Sequence, residues 1–282
     1  MAIIIDGKLV SNTIREEIRD EVSSLKTEFG ITPGLAVVFV GDDPASAVYV
    51  RNKHKACLDV GIESYVITMP ADTAEEVLLN KIDELNADNR VNGILVQLPL
   101  PEHICESNII NRISPEKDVD AFHPVNVGKI LIGNYDFLPC TPAGIMDLLD
   151  FYNINVEGME CVVLGRSNIV GKPMSLLLLG KNGTVTICHS RTMDLAKITK
   201  RADILVVAVG KAEFITADMV KPGAVVIDVG INRLKSGKLV GDVKFDEVSL
   251  IASAITPVPG GVGPMTITTL LKNTLIAAKK QN

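Results

Sequence analysis

Short apolar runs rich in β-branched residues alternate with longer segments of helical period along almost the whole chain. That alternation is the signature of strands joined by crossover helices, and it commits the chain to an α/β fold with parallel strands. We read it as two successive sheets. In the first half, strands are expected at residues 35–40, 64–68 and 93–97, between helical stretches at 8–29, 45–60 and 73–88. Asp72 or Thr73 can cap the last of these helices, with Glu75 and Glu76 in its first turn where the helix dipole favours negative charge. In the second half, strands are expected at 160–164, 184–188, 204–209 and 224–228, a spacing that suits a compact Rossmann-like sheet. Residues 114–142, full of turn formers and prolines, do not read as one regular element and should line the junction between the halves.

A chain of 282 residues exceeds the usual single-domain size, so two domains are expected. The boundaries read as residues 1–140, completed by a carboxyl-terminal helix at 266–282, and residues 141–265. With 28 Lys and Arg against 34 Asp and Glu, and no basic run, the chain has nothing to neutralise a nucleic-acid backbone. The amino-terminal apolar stretch is too short for a signal-peptide core, and no apolar run approaches the roughly 20 residues that cross a bilayer, so a cytoplasmic protein without a membrane partner is expected. The five cysteines are scattered and never spaced as CxxC, and no histidines form an HxxxH pair, which argues against a disulfide framework and against a metal site.

The most informative local segment is Cys161-Val-Val-Leu-Gly165-Arg166-Ser167-Asn168-Ile169-Val170-Gly171-Lys172-Pro173, a buried strand running into a turn and then a helix. Phosphate binding needs a tight turn whose backbone N–H groups and following helix start face the anion, and Gly165, Gly171 and Pro173 suit that geometry. Ser167 stands where GxGxxG has its second glycine, and a ligand-free strand-to-helix turn would look much the same. An independent clue lies at the end of the next strand, where an NAD-selective site usually carries an acidic residue. Here the sequence reads His189-Ser190-Arg191. Ser190 and Arg191, with Arg166 in the loop itself, complement a 2′-phosphate and point to NADP; single arginines, however, are most often solvated surface residues.

The first half holds the candidates for chemistry. Tyr49 and Lys53 lie four apart on a helical stretch, so they share a face and could form a proton-transfer pair. Spacing alone favours an exposed lysine on a solvated helix. Gln97 ends an apolar strand and is followed by Leu98-Pro99, at the carboxyl edge where open α/β sheets bind ligands; it could equally cap the strand. Asp118 and Asp120 lie in the irregular junction, where a carboxylate can bind a polar heterocycle or terminate a helix.

Taken together, six ordered segments resemble the bifunctional methylenetetrahydrofolate dehydrogenase/cyclohydrolase family over nearly the whole chain. They are Tyr49-Val-Arg-Asn-Lys53, Val96-Gln97-Leu-Pro-Leu-Pro101, Pro115-Glu-Lys-Asp-Val-Asp120, Pro139-Cys-Thr-Pro142, Gly165-Arg-Ser-Asn-Ile-Val-Gly171-Lys-Pro173 and Thr256-Pro-Val-Pro-Gly-Gly-Val-Gly-Pro264. The resemblance implies NADP-dependent oxidation of 5,10-methylenetetrahydrofolate to the 5,10-methenyl form and its hydrolysis to 10-formyltetrahydrofolate, both in one cleft between the domains of a homodimeric enzyme. By that resemblance Lys53 is the principal catalytic residue, Tyr49 orients the reduced folate, Gln97 tunes Lys53 and Asp120 anchors the pterin, while Asp118 is structural. Leu98, Pro99, Pro259, Gly260, Gly261 and Thr266 would line the substrate site. Gly165, Arg166, Ser167, Ser190, Arg191, Thr141, Gly210 and Ile231 would hold the cofactor, and Cys140 would be a wall residue. One departure is Ala121, where the family usually has glycine. A short-chain dehydrogenase also uses YxxxK, but there the pair follows the dinucleotide loop, whereas Tyr49 precedes Gly165. A silent folate- or dinucleotide-binding module would have lost its proton-transfer group, and Lys53 is present.

Overall fold

The structure, a computed structural model, describes residues 2–281 and divides into two compact units. One comprises Thr13–Leu138 and Ile267–Asn282; the other comprises Met1–Asn12 and Pro139–Thr266. In chain order the elements of the first half are β1 (Ile3–Ile4), α1 (Gly7–Phe29), β2 (Gly34–Val40), α2 (Pro44–Val60), β3 (Glu63–Met69), α3 (Glu75–Ala87), β4 (Gly93–Val96), α4 (Glu106–Arg112) and α5 (Pro124–Leu131). There follow α6 (Cys140–Phe151), β5 (Glu160–Leu164), α7 (Gly171–Gly180), β6 (Thr184–Cys188), α8 (Leu195–Thr199), β7 (Ile204–Val207) and β8 (Val225–Asp228). The chain closes with β9 (Asn232–Arg233), β10 (Leu239–Val240), α9 (Phe245–Val248), β11 (Ala254–Ile255) and α10 (Val262–Gln281).

The smaller sheet has the order β3-β2-β4, all parallel. Its central strand, Gly-Leu-Ala-Val-Val-Phe-Val, is buried at every position, as a strand covered by helices on both faces must be. The edge strand β3 is only half covered, and its sequence is correspondingly more polar. On one face α3 buries Leu78, Ile82 and Leu85, spaced one helical turn apart, against Ala36, Val38, Ile94 and Val96. Helix α2 begins with the Asp43 carboxylate accepting the Ser46 N–H at 2.7 Å and Pro44 in its first turn, and ends at Gly61, whose φ of 84° only glycine adopts without strain. Neither residue expected to cap α3 does so: its flanking residue is Ala74, with no side-chain cap, and the Thr73 hydroxyl instead donates to the Pro70 carbonyl at 2.7 Å.

The larger sheet has the order β1-β11-β8-β7-β5-β6, again all parallel. Four of its strands match the expected runs. The other two, β1 and β11, are two residues each, too short to show any periodicity, so the amino-terminal residues expected in the first domain belong to this sheet instead. A backbone contact explains why. A Cβ on Gly7 would lie 1.7 Å from the Gly261 carbonyl oxygen, so the start of α1 packs directly on the glycine-rich segment before α10. The stretch 114–142, unreadable as one element, contains α5 and the first turn of α6.

The segment 267–282 packs with the smaller sheet. Asn273, buried in α10, donates from Nδ2 to the carbonyls of Val119 and Leu138 at 2.8 and 2.9 Å, and Gln281 donates to the carbonyls of Asn92 and Glu116. The irregular chain after β4 is thus pinned by side-chain amides. Replacing Asn273 by alanine strands one buried and one partly buried carbonyl and should cost about 3 kcal/mol of unfolding free energy, measured by urea denaturation. A loss below about 1 kcal/mol would mean that water replaces the amide there.

Candidate active site

In the unit built on the smaller sheet, chemistry-bearing side chains gather beyond the carboxyl end of β4. Gln97 follows that strand directly, and its N–H still bonds the Val38 carbonyl at 2.8 Å, which fixes its backbone as part of the sheet. Its amide is oriented at both ends: Nε2 donates to the Leu98 carbonyl at 2.6 Å and Oε1 accepts from Lys53 Nζ at 3.0 Å. Lys53 is therefore not the solvated lysine that spacing alone favours; it is half-buried and held. Tyr49 lies one turn earlier on the same face of α2 and is 45% exposed, and no hydrogen bond joins its hydroxyl to Lys53. The tyrosine thus presents a ring to solvent while the amine is fixed by the amide.

The two junction aspartates differ sharply. Asp118 is buried and pairs as a parallel bridge with Ile94, and its Oδ2 accepts from His123 N–H and Asn126 Nδ2, each at 2.8 Å. Burial pushes its carboxyl above the usual range, opposed by those bonds. It shapes the loop. Asp120 is only half-buried, and both aspartates line a small hollow with Val96, Leu98, Ile109 and Phe122. Between the two aspartates and His123 the chain turns at Ala121, fully buried at φ 58°. The left-handed conformation explains why glycine suits this position, and alanine holds it at a cost of roughly 1–2 kcal/mol.

In the unit built on the larger sheet, strand order reverses at β5, with β6 on one side and β7 on the other. Ligands of open α/β sheets bind outside the carboxyl ends of the strands at such a switch point. The loop after β5 meets the requirement for close backbone approach. Gly165 has φ 139°, and a Cβ there would lie 2.4 Å from the Ala208 carbonyl oxygen after β7; one on Gly171 would lie 2.2 Å from the Gly165 carbonyl oxygen. Ser167, the residue that breaks the glycine pattern, braces the turn into the following helix: its Oγ accepts from the Val170 and Gly171 N–H groups at 3.2 and 3.4 Å. Arg166, Ser190 and Arg191 are exposed, and among the described residues no carboxylate engages either guanidinium. His189 Nδ1 accepts the Arg191 N–H at 3.2 Å and the Thr192 hydroxyl accepts the His189 N–H at 2.9 Å, which shapes the turn presenting Arg191. A dinucleotide fits the chemistry of this site: two glycines let the loop turn tightly at the carboxyl edge, and two exposed guanidiniums that no carboxylate engages among the described residues are present for its charge.

Thr141 and Thr266 come together, their hydroxyls 3.1 Å apart, and Cys140 is buried in the first turn of α6. Pro259, Gly260 and Gly261 form the turn into α10, with the Gly261 N–H on the Pro257 carbonyl at 2.9 Å. Ile231 is half exposed at the end of the loop after β8, and the Gly210 N–H donates to Asp242 at 2.9 Å.

That last bond involves a residue the sequence reading did not single out. Asp228, at the end of β8, accepts from the N–H groups of Gly230, Asp242 and Val243 at 3.0, 2.9 and 2.9 Å, and Asp242 is itself fully buried. The available signal was an aspartate closing an apolar strand, two residues before a glycine. Burial raises the Asp228 carboxyl to about 6, against the lowering effect of its three backbone donors, and nearby Asp242 adds to the rise. An unfolded aspartate titrates near 3.9, so between about pH 4 and pH 6 the folded state binds the extra proton, and this residue's contribution to stability falls as pH rises through that window. Asp228→Asn should therefore flatten the change in urea midpoint between about pH 4 and pH 7, by on the order of 3 kcal/mol in unfolding free energy. An unchanged profile would show that the carboxyl does not titrate there.

Residues 5–120 match the model of the tetrahydrofolate dehydrogenase/cyclohydrolase catalytic domain, and residues 139–282 that of the NAD(P)-binding domain of the same family. The chain is 62% identical to the bifunctional protein FolD of Acetivibrio thermocellus, over 99% of this chain and 98% of that protein. It superimposes on the bifunctional FolD of Campylobacter jejuni with a TM-score of 0.98 at 51% identity, covering 100% of both chains. It also superimposes on the Trypanosoma brucei FolD, solved with NADP cofactor and inhibitor, with a TM-score of 0.95 at 40% identity over 99% of this chain and 98% of that one. With both halves matched to one family, and relatives aligned from end to end, the chain belongs to the tetrahydrofolate dehydrogenase/cyclohydrolase family.

Proposed function

We propose that Lys53, held by Gln97, carries the proton chemistry of a bifunctional one-carbon folate enzyme, and that the 165–171 loop with Arg166, Ser190 and Arg191 receives its NADP. The enzyme oxidises 5,10-methylenetetrahydrofolate to 5,10-methenyltetrahydrofolate with NADP and hydrolyses the product to 10-formyltetrahydrofolate. The observation that carries the residue assignment is the 3.0 Å contact from Lys53 Nζ to Gln97 Oε1, beside a strand end where an unmodified solvated lysine would otherwise suffice.

NADP supplies the hydride acceptor when bound. The chain's own part in oxidation is placement, since hydride transfer needs donor and acceptor face to face more than it needs acid or base. Gly165 and Gly171 admit the diphosphate to the backbone, Ser167 holds the helix start, and the exposed guanidiniums of Arg166 and Arg191 take the 2′-phosphate with Ser190. Thr141, Gly210 and Ile231 complete the cofactor site. Hydrolysis differs: water loses one proton to solvent as its oxygen bonds the methenyl carbon of the cation, and the resulting hydroxyl loses its second proton, with one delivered to the ring nitrogen, as the C–N bond breaks and the formyl C=O forms. One amine on a flexible stem, oriented by an amide carbonyl, can shuttle that proton at Nζ. Tyr49 offers its ring to the folate, Asp120 binds the pterin through its carboxylate, and Leu98, Pro99, Pro259, Gly260, Gly261 and Thr266 wall the substrate. On this reading the protein is a cytoplasmic homodimer acting on a reduced folate, with the smaller-sheet unit as the folate-binding catalytic domain.

Lys53→Ala should lower hydrolysis of methenyltetrahydrofolate, followed by loss of its absorbance, by about a hundredfold or more. Hydrolysis at the wild-type rate would remove Lys53 from the mechanism, and wild-type protein that reduces neither NADP nor NAD with methylenetetrahydrofolate would remove the dehydrogenase. Arg191→Ala should weaken NADP by about tenfold while changing NAD by about twofold or less, in parallel titrations. Equal weakening of both would mean that Arg191 does not meet the 2′-phosphate.

A further inference from the structure

We infer that Asp242 is a positioning residue for the dinucleotide, an internal anion that sets the cofactor-side wall of the switch-point crevice by gripping the loop after β7. The inference rests on the reading that the larger-sheet unit binds NADP. Asp242 is fully buried, and no salt bridge to it exists among the described residues. What compensates its charge is a ring of N–H donors. Oδ2 accepts from Val209 and Gly210 at 2.7 and 2.9 Å, and Oδ1 accepts from Lys211 at 2.9 Å and from Asn232 Nδ2 at 2.8 Å. Three successive main-chain amides converging on one carboxylate form the concavity that ordinarily binds a free anion, filled here by a side chain of the same chain.

The loop so gripped borders the site. Its first neighbour, Ala208, has its carbonyl 2.4 Å from where a Gly165 Cβ would stand, so the loops after β5 and β7 abut at the switch point. Gly210, at φ 66°, is exposed on the far side of the bonds that hold it. The carboxylate is aimed by the rest of the unit. The β9–β10 hairpin brings residue 242 back beside Asn232, Asp228 fixes its backbone N–H, and its carbonyl accepts from Ile215 at 2.9 Å. Two glycines make room: a Cβ on Gly230 would lie 2.2 Å from Asp242 Cγ, and one on Gly241 would lie 1.8 Å from Asp228 Oδ2. An ionised carboxylate buried without a cation is a costly way to end a turn, and its outlay is spent on three consecutive amides of one functional loop.

The test is Asp242→Asn, which keeps the shape but turns an NH2 towards N–H donors. NADP affinity by calorimetry and the KM for NADP should worsen by about tenfold, while hydrolysis of methenyltetrahydrofolate by the same preparation stays within about twofold of wild type. An NADP affinity within about twofold of wild type would overturn the inference, and so would a parallel fall of both activities, which would mark a purely structural residue. Should that variant fail to fold, Asn232→Ala removes one of the four donors and leaves the charge, and a rise of about threefold in the NADP dissociation constant is expected; no change overturns the inference. Wild-type protein that binds no NADP overturns the cofactor reading itself and this inference with it.

Discussion

Every strand pairing in both larger sheets is parallel, and the placement of function follows from that constraint. Parallel neighbours cannot be joined by tight hairpins, so each strand is followed by a loop, a helix or a longer crossover that returns the chain to the other end. All carboxyl ends then lie along one edge of each sheet. Gln97 follows β4, the 165–171 loop follows β5, the His189–Arg191 turn follows β6, and Gly210 and Ile231 lie beyond β7 and β8. Residues far apart in sequence share an edge because the topology leaves them no other place. The near-continuous apolar strands that make such a sheet, Gly34–Val40 and Ile204–Val207 among them, are thus the first cause of the candidate site.

Loops at such an edge carry unpaired backbone groups, and this chain satisfies many of them with buried carboxylates instead of with water. Asp118 holds the turn that presents Asp120, Asp242 holds the turn that presents Gly210, and Asp228 holds the backbone of Asp242. Hydrogen bonds to an ionised acceptor are roughly twice as strong as neutral ones, which offsets desolvation and leaves the loop rigid. The shift of Asp228 to about 6 shows how narrow that balance is: three backbone donors do not fully outweigh burial. Gln97 plays the corresponding part for Lys53 with a neutral group, its amide oxygen accepting from the amine and orienting it.

Much of this was legible in the sequence. The seven longer strands carry enough β-branched residues to be read directly, and the 165–171 segment announces itself because tight turns and close backbone approach demand glycine. The significance of Ser167 needed the structure, which makes it the brace of the turn into α7 and not merely a break in a glycine pattern. The strands β1 and β11 were not legible, since two residues have no period, and their membership depends on the contact of Gly7 with Gly261, more than 250 positions away. Asp228 offered only its place at the end of an apolar strand, and Asp242 offered no signal at all. An aspartate in sequence is a surface residue by default, and only its partners reveal otherwise.

The sequence by itself determined the α/β class, the parallel sheets, the glycine-bearing turn at 165–171, and the motif set that marks the family. Those properties are written in local periodicity and in residue types that backbone geometry requires. Tertiary structure alone decided that Lys53 is held by Gln97, that Asp118 is buried and holds its loop while Asp120 stays half-buried, and that two buried aspartates organise the switch point. Each of those distinctions turns on burial and on which donor meets which acceptor, and such pairings form only when folding brings distant segments within about 3 Å.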